Sequence, residues 1–263
     1  MRTTWGDAMV SRPLALLLDF GGVVVTSRRR PEWAKELAGE IHGRFARLGF
    51  DEPDEDRIRQ DVEYGQAAAR RWRDAVSRTP EPLELAHRRF WADFVAADWP
   101  APARAWVDAE ATALCGRLGE LGQERTFRPG LHDLLDTADG LGVPVGIVSN
   151  ALSGAVHRDH LRHHGLDGRF AVQVYSDELG IRKPHPGMIT AAAAALGVPV
   201  GSTWYVGDNY DRDALCARRA GAGAAILVED AGTHEPPFMP FLEVDALLPD
   251  LHALRSLLAD APR

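Results

Sequence analysis

The sequence predicts an α/β fold, a Rossmann-like parallel sheet core with an inserted, mostly helical cap. Three observations predict it. Five short apolar runs, most bounded by Gly, Pro, Asp or Asn, are separated by segments of helical patterning. The long stretch after the first run lacks that alternation and is rich in tryptophan at helical spacing. Polar residues stand at the ends of four runs, and ligands of open parallel sheets bind beyond the carboxyl ends of their strands.

The first strand is Leu14–Asp19. From about residue 27 to 123 no convincing strand occurs, and five of the seven tryptophans fall there: Trp33, Trp72, Trp91, Trp99 and Trp106. This segment reads as helices broken near Asp51–Pro53, Thr79–Pro82 and Pro100–Pro102. Its tryptophans are expected to fill a core rather than stack on a ligand. Phe127-Arg128-Pro129-Gly130 marks the return to the sheet. Strands then follow at Val143–Ser149, Ala171–Tyr175, Thr203–Gly207 and Ala224–Val228, with helices such as Gly154–His164 and Pro186–Leu196 between them. Strand-helix alternation of this kind predicts a parallel sheet covered on both faces. The Pro-rich Glu235–Pro240 reads as a surface loop before a final helix. The expected division is a core domain of residues 1–26 and 124–263 and a helical cap of residues 27–123.

The chain has 263 residues, 45% hydrophobic and 26% charged, which is ordinary for a globular protein with an ample core. Its net charge of -8 argues against nucleic acid or an anionic membrane as partner, while a small anionic substrate remains compatible with a locally positive site. Leu14 to Leu18 is too short to span a bilayer, and no signal peptide is read, so a cytoplasmic location is expected. Cys115 and Cys216 are too few for a disulfide framework and read as buried small hydrophobes. Of the 30 basic residues only Lys35 and Lys183 are lysine. Against that bias a retained lysine suggests a need for a compact point charge.

Asp19 ends the first strand, before Gly21-Gly22, where a carboxylate beside closely approachable backbone suits a nucleophile facing an anion. Ser149-Asn150 ends the second strand and offers a hydroxyl and loop amides for phosphate oxygens. Lys183 follows the third strand, and Asp208 ends the fourth with Asp211 and Asp213 close behind. A carboxylate attacking a phosphate dianion meets repulsion that a divalent cation and a lysine offset. Mg²⁺ takes hard oxygen ligands, so Asp19, Asp208 and a backbone carbonyl suit it.

With these motifs the sequence resembles the haloacid dehalogenase (HAD) superfamily. Leu18-Asp19-Phe20-Gly21-Gly22-Val23 is similar to its first motif, Val148-Ser149-Asn150 to its second, Lys183-Pro184 to its third, and Gly207-Asp208-Asn209 through Asp213 to its acidic fourth. The resemblance covers about 14–23 and 127–228; residues 27–123 match the family's cap in placement only. It implies Asp19 as nucleophile and metal ligand, with the Gly21 carbonyl and Asp208 completing a Mg²⁺ site. Ser149, Asn150 and Lys183 would bind phosphate, and Asp213 would support the metal or Lys183, with Asp211 as the alternative. Family phosphatases usually carry a second aspartate, a general acid and base, at the position of Gly21. This chain thus resembles a branch with Asp-x-Gly that includes sugar-phosphate phosphatases. General acid catalysis is worth about 10²–10⁴-fold when the leaving group needs a proton. Water, a cap residue such as His87, or a good leaving group such as an anomeric phosphate would compensate.

Other clusters have blander readings. His157, His160, His163 and His164 crowd one helix, and His160/His164 have the i, i+4 spacing of a metal pair, yet no strong third ligand follows. A solvated helix face is expected for them, as for Arg28–Arg30, Arg70–Arg73 and Arg88–Arg89. The expected function is a Mg²⁺-dependent phosphatase acting on a small phosphomonoester through an aspartyl-phosphate on Asp19. A 2-haloacid dehalogenase is the alternative, although dehalogenases of the family lack the aspartate at the place of Asp208. Phosphonate cleavage would need a cap lysine, for which Lys35 is poorly placed. A binding protein that has lost its chemistry is the last alternative.

Overall fold

The computed structural model describes residues 11–262. In chain order its elements are β1 (Ala15–Leu18), β2 (Val25–Arg29), α1 (Trp33–Leu48), α2 (Glu55–Val76), α3 (His87–Arg89, continued by a wider helical turn at Phe90–Val95), α4 (Ala101–Ala109), α5 (Ala111–Gly122) and β3 (Gln123–Phe127). Then come α6 (Leu131–Leu141), β4 (Val145–Ser149), α7 (Gly154–His163), β5 (Val172–Tyr175), α8 (Ser176–Leu179), α9 (Gly187–Leu196), β6 (Thr203–Gly207), α10 (Leu215–Ala220), β7 (Ala224–Val228), β8 (Ala246–Leu248) and α11 (Leu251–Asp260). Among the described residues no helix is long and apolar enough to cross a membrane.

Six strands form one parallel sheet in the order β5-β4-β1-β6-β7-β8. Its strands are apolar throughout because both faces are covered. Leu16 and Leu18 enter a cluster with Ile147, Trp204, Val206 and Ile226 beneath α6 and α11. Leu17 points the other way, to Val148, Tyr205 and Ala225 and to Met188, Ile189, Cys216 and Ala217 of α9 and α10. Each fully buried leucine contributes about 1.5–3 kcal/mol, so this double coverage anchors β1, the strand that ends at Asp19.

The helices between Trp33 and Gly122 have a hydrophobic cluster of their own. In α1 the residues Trp33, Leu37, Ile41 and Phe45, spaced by four, form its buried stripe. The first two expected breaks fall between helices and the third, Pro100–Pro102, at the start of α4; α2 starts where the Asp54 carboxylate accepts the Arg57 amide at 2.8 Å. Trp33, Trp91 and Trp99 are buried, with Trp72 and Trp106 packed against them, as expected of core residues. Cys115 and Cys216 are buried and free, and burial pushes both thiols up to about 12.

The structure differs from the sequence expectation at the entrance and exit of this helical segment. β2 and β3 pair antiparallel, Val25 with Phe127 through Arg29 with Gln123. Residues 27–29 and 123, expected to be free of strand, therefore belong to a ribbon. Its burial explains the miss: beyond Val25 every residue of β2 is exposed, so no apolar alternation marks it. β8, three residues at the sheet edge, was likewise not anticipated. A further tie joins the helical segment to the sheet side. Leu83 bridges Ile181, the Glu84 amide donates to the Gly180 carbonyl at 2.9 Å, and the Arg182 amide to the Pro82 carbonyl at 3.1 Å. Arg182 adds a buried ion pair in which its Nη1 donates to both carboxylate oxygens of Glu84, each at 2.9 Å.

Candidate active site

Asp19 follows β1, Ser149 closes β4, Asp208 follows β6, and Lys183 lies on the loop after β5 and α8. Because β4, β1 and β6 are adjacent and parallel, their carboxyl ends bring these residues together. Lys183 is the hub. Its ammonium, 1% exposed, lies 2.8 Å from Asp19 Oδ2, 2.6 Å from Asp213 Oδ1 and 2.8 Å from the Tyr205 hydroxyl. Burial works against the charge on Lys183, but the two carboxylates beside it outweigh that and raise its pKa.

Asp213 is fully committed. Oδ1 accepts from Lys183 and from Tyr205 at 2.9 Å, while Oδ2 accepts the backbone amides of Asp208 at 3.2 Å and Asn209 at 3.0 Å. Although burial opposes its charge, the Lys183 and Arg212 cations hold Asp213 below the usual carboxylate range. Asp211 makes no such contacts. Its Oδ1 is buried without a hydrogen bond and lies 3.6 Å from Arg212 Nε, so the geometry singles out Asp213 as the partner of Lys183. Gly207 makes this approach possible, since a Cβ there would lie 2.2 Å from Asp213 Cγ.

Asp19 accepts the Phe20 amide at 2.7 Å. Burial raises its pKa; the Lys183 ammonium and a hydrogen bond from Ser149 pull it down, and the Asp213 charge adds to the rise. Asp208 is pushed up to about 8 by burial and then by the charges of Asp213 and Asp19, while the Asn209 amide donates to its Oδ2 at 2.6 Å. Gly22 permits this close approach. Its φ is +76°, and a Cβ would lie 2.5 Å from Asp208 Cγ. Gly21, by contrast, is outside the left-handed region, and a Cβ there would meet nothing within 4 Å.

Asn150 differs in one respect from the expectation. Its side-chain amide brackets the Lys183 backbone, accepting the amide at 2.8 Å and donating to the carbonyl at 3.2 Å. It thereby fixes the turn that presents Lys183, with one side-chain N–H left for a ligand in the cavity that Asn150 lines. His87 is also elsewhere: its ring bonds the Leu152 carbonyl at 2.6 Å and the Thr112 hydroxyl at 3.2 Å, and it does not line the cavity at Asp19. Lys35 is exposed on α1 and lines neither that cavity nor the one beside it.

The cavity at Asp19 measures about 330 Å³, and Ser149, Lys183, Asp208, Arg212 and His157 share its wall. His157 departs from the solvated face expected for its helix. It stacks on Phe20, ring centroids 4.2 Å apart, and burial, helped by the Arg125, His160 and Arg158 charges, pushes it down to about 3. His160 packs on Phe127 and falls to about 4, again mainly through burial. The His164 Nδ1 is 2.8 Å from the His160 carbonyl oxygen, a local helix contact that leaves no chelating pair. Tyr205, Arg212 and His157 are the site residues that sequence reasoning missed. A tyrosine within an otherwise apolar buried strand was the available signal, since its hydroxyl needs a partner.

Oxygen atoms of Asp19, Asp208 and Asp213 lie within 4.8 Å of one another, the only such group among the described residues. A set of hard carboxylate oxygens fits a cation of the Mg²⁺ type. Since Asp213 is saturated by four donors, Asp19 and Asp208 are the carboxylates with capacity to hold it.

The chain is similar to known proteins along most of its length. The phosphoserine phosphatase of Thermus thermophilus is 26% identical over 224 residues, 79% of this chain and 84% of that protein. A phosphoglycolate phosphatase of Xylella fastidiosa is 33% identical over 125 residues, and here the chain spans only about half of the relative's length, 53%. Among solved structures, a HAD phosphatase from Thermococcus onnurineus superposes with a TM-score of 0.59 at 21% identity, covering 95% of this chain and 99% of that one. The L-2-haloacid dehalogenase RSc1362 shares the fold at a TM-score of 0.53 and 17% identity, covering 93% and 97%. The family model described as haloacid dehalogenase-like hydrolase matches residues 14–221, and the chain belongs to that family of hydrolases.

Proposed function

We propose that the protein is a Mg²⁺-dependent phosphatase that hydrolyses a small phosphomonoester through an aspartyl-phosphate on Asp19. The observation that carries the reading is the placement of the Asp19 carboxylate, 2.8 Å from a buried ammonium and beside a second carboxylate, at the wall of a cavity of small-ligand size. Phosphatases named among the relatives support it. Residues 27–123 are then the cap that closes over this cavity and selects the substrate.

In this reading an Asp19 oxygen attacks phosphorus, the bond to the leaving oxygen breaks, and the leaving group departs as an oxyanion that takes up a proton to become the alcohol. Water then cleaves the acyl phosphate, releasing phosphate and restoring the carboxylate. Lys183 and the Ser149 hydroxyl hold phosphate oxygens, and Asp213 and Tyr205 keep Lys183 charged and aimed. Asp19, Asp208 and the Gly21 carbonyl would hold Mg²⁺, whose charge offsets repulsion between the attacking carboxylate and the phosphate.

Turnover of an activated aryl phosphate with Mg²⁺, after EDTA, and after Mg²⁺ is restored tests this. Loss and recovery of activity is the expected result. Turnover indifferent to EDTA, together with consumption of 2-haloacids, would replace it with the dehalogenase reading.

A further inference from the structure

The cavity at Asp19 continues into a second one, also about 330 Å³, under the helical segment. The two share Gln123, Arg125, Asn150, His157 and Arg212 in their walls. The second is strongly basic in a protein of net charge -8. Arg29, Arg70, Arg73, Arg125, Arg182 and Arg212 line it, against the single carboxylate of Asp74. Of the arginines expected on solvated faces, Arg29, Arg70 and Arg73 also line this cavity, while Arg28, Arg30 and Arg71 do not. Arg88 and Arg89, paired with Asp108 and Asp93 at the surface, do fit that expectation.

These arginines are not equivalent. Glu84 neutralises Arg182 at 2.9 Å and contacts Arg73 at 3.4 Å, and Asp211 lies 3.6 Å from Arg212. Among the described residues no carboxylate lies within 4 Å of the guanidinium of Arg29, Arg70 or Arg125 in the second cavity. Arg29 and Arg70 are exposed and can be hydrated. Arg125 is half-buried on β3, and its one hydrogen bond is from Nη2 to the Gly119 carbonyl at 2.9 Å. Burial pulls its pKa down, only partly opposed by Glu120. A guanidinium still stays charged, and removing it from water without a counter-ion is costly. Arg125 faces both cavities, so an anion that meets it can belong to a molecule whose phosphate is at Asp19.

We propose that the substrate is a phosphomonoester whose leaving group carries a second anion, a carboxylate or a phosphate, held in this second cavity by Arg125 with Arg70 and Arg29. The proposal rests on the phosphatase reading, and it makes Arg125 the residue that determines specificity.

Calorimetry with non-hydrolysable phosphonates tests it apart from turnover. Methylphosphonate, phosphonoacetate and propane-1,3-diphosphonate are titrated into the wild-type protein in the presence of Mg²⁺. At least one doubly anionic ligand should bind about tenfold or more tighter than methylphosphonate, and which one binds tighter tells carboxylate from phosphate. Arg125→Gln should reduce that preference by about 10- to 100-fold, the range for hydrogen bonds to a charged group. Arg125→Lys should keep part of it, and the exposed Arg70→Gln should lower it about threefold. Equal affinity of the wild type for all three ligands would overturn the proposal, as would equal weakening of all three in Arg125→Gln. Selective binding without aryl phosphatase activity would instead sink the phosphatase reading and leave the second anion site standing.

Discussion

The two joined cavities are built on opposite principles. At the strand ends, Lys183, Tyr205 and both oxygens of Asp213 are tied into one hydrogen-bonded network, so the charges are fixed before any ligand arrives. In the neighbouring cavity Arg29, Arg70 and Arg125 project from the ribbon and from α2, with no carboxylate among the described residues within 4 Å of their guanidinium groups. The first arrangement suits chemistry, where donors placed in advance need no reorganisation. The second suits selection, where a ligand supplies the missing charge and different ligands can be weighed against each other. The second cavity lies between the sheet core and the helical segment, which the Glu84–Arg182 pair ties together.

The largest effect should come from breaking the fixed side at its reacting atom. Asp19→Asn should lower aryl phosphate turnover about 10⁴-fold or more, as for loss of a nucleophile, while circular dichroism shows an intact fold. Turnover within tenfold of wild type would remove Asp19 from the chemistry.

Lys183→Arg should come next, at about 10²–10³-fold in kcat. The ammonium has three partners within 2.8 Å, and its side chain is 1% exposed, so a broad guanidinium cannot occupy the same place. The reverse exchange in the second cavity, Arg125→Lys, should be far milder, which is the comparison put in its sharpest form. Wild-type kinetics in Lys183→Arg would show that the network does not need a point charge.

How much of this was legible in the sequence follows the same division. The five long strands of the sheet and the residues at their ends were readable, because a parallel sheet covered on both faces writes itself as apolar runs and places its polar groups at their carboxyl ends. Lys183 stood out as one of two lysines in an arginine-rich chain. The ribbon of β2 and β3 was not readable, because its residues are mostly exposed and have no apolar period. Arg125 was invisible for the same reason. Nothing in Gln-Glu-Arg-Thr-Phe distinguishes an arginine facing a cavity from one facing water. His157 was misread because its burial depends on Phe20, far away in sequence.

Gly21→Asp asks whether the proton for the leaving group comes from the fixed side or from elsewhere. The substitution should be free of backbone strain, since Gly21 lies outside the left-handed region and a Cβ there meets nothing within 4 Å. The rate on alkyl phosphates relative to aryl ones should rise, by up to about 10²-fold where the new carboxyl reaches the departing oxygen. Gly21→Ala serves as the steric control. An unchanged ratio in a folded, Mg²⁺-binding Asp variant would mean that the wild type already has a proton source, and His87, tied to Leu152 and Thr112, is not a candidate for it.

Tyr205→Phe should have the smallest effect of the four, because it trims the network without removing a charge. The hydroxyl donates to Asp213 at 2.9 Å and accepts from Lys183 at 2.8 Å, deep under the sheet's end. Its loss leaves the Lys183–Asp213 ion pair in place at 2.6 Å, so each partner keeps its main contact. The cost to stability should be about 1.5–3 kcal/mol, the range for hydrogen bonds to charged groups, read as a fall in the denaturation midpoint. Turnover should fall about three- to tenfold through kcat, because a less constrained Lys183 spends less time aimed at the phosphate. KM for a doubly anionic substrate should stay near wild type, because the second anion is held by arginines that Tyr205 does not touch. A change confined to KM would place Tyr205 in ground-state binding and blur the separation between the two cavities; a loss as large as that of Lys183→Arg would show that Tyr205, and not Asp213, is what holds the ammonium in place.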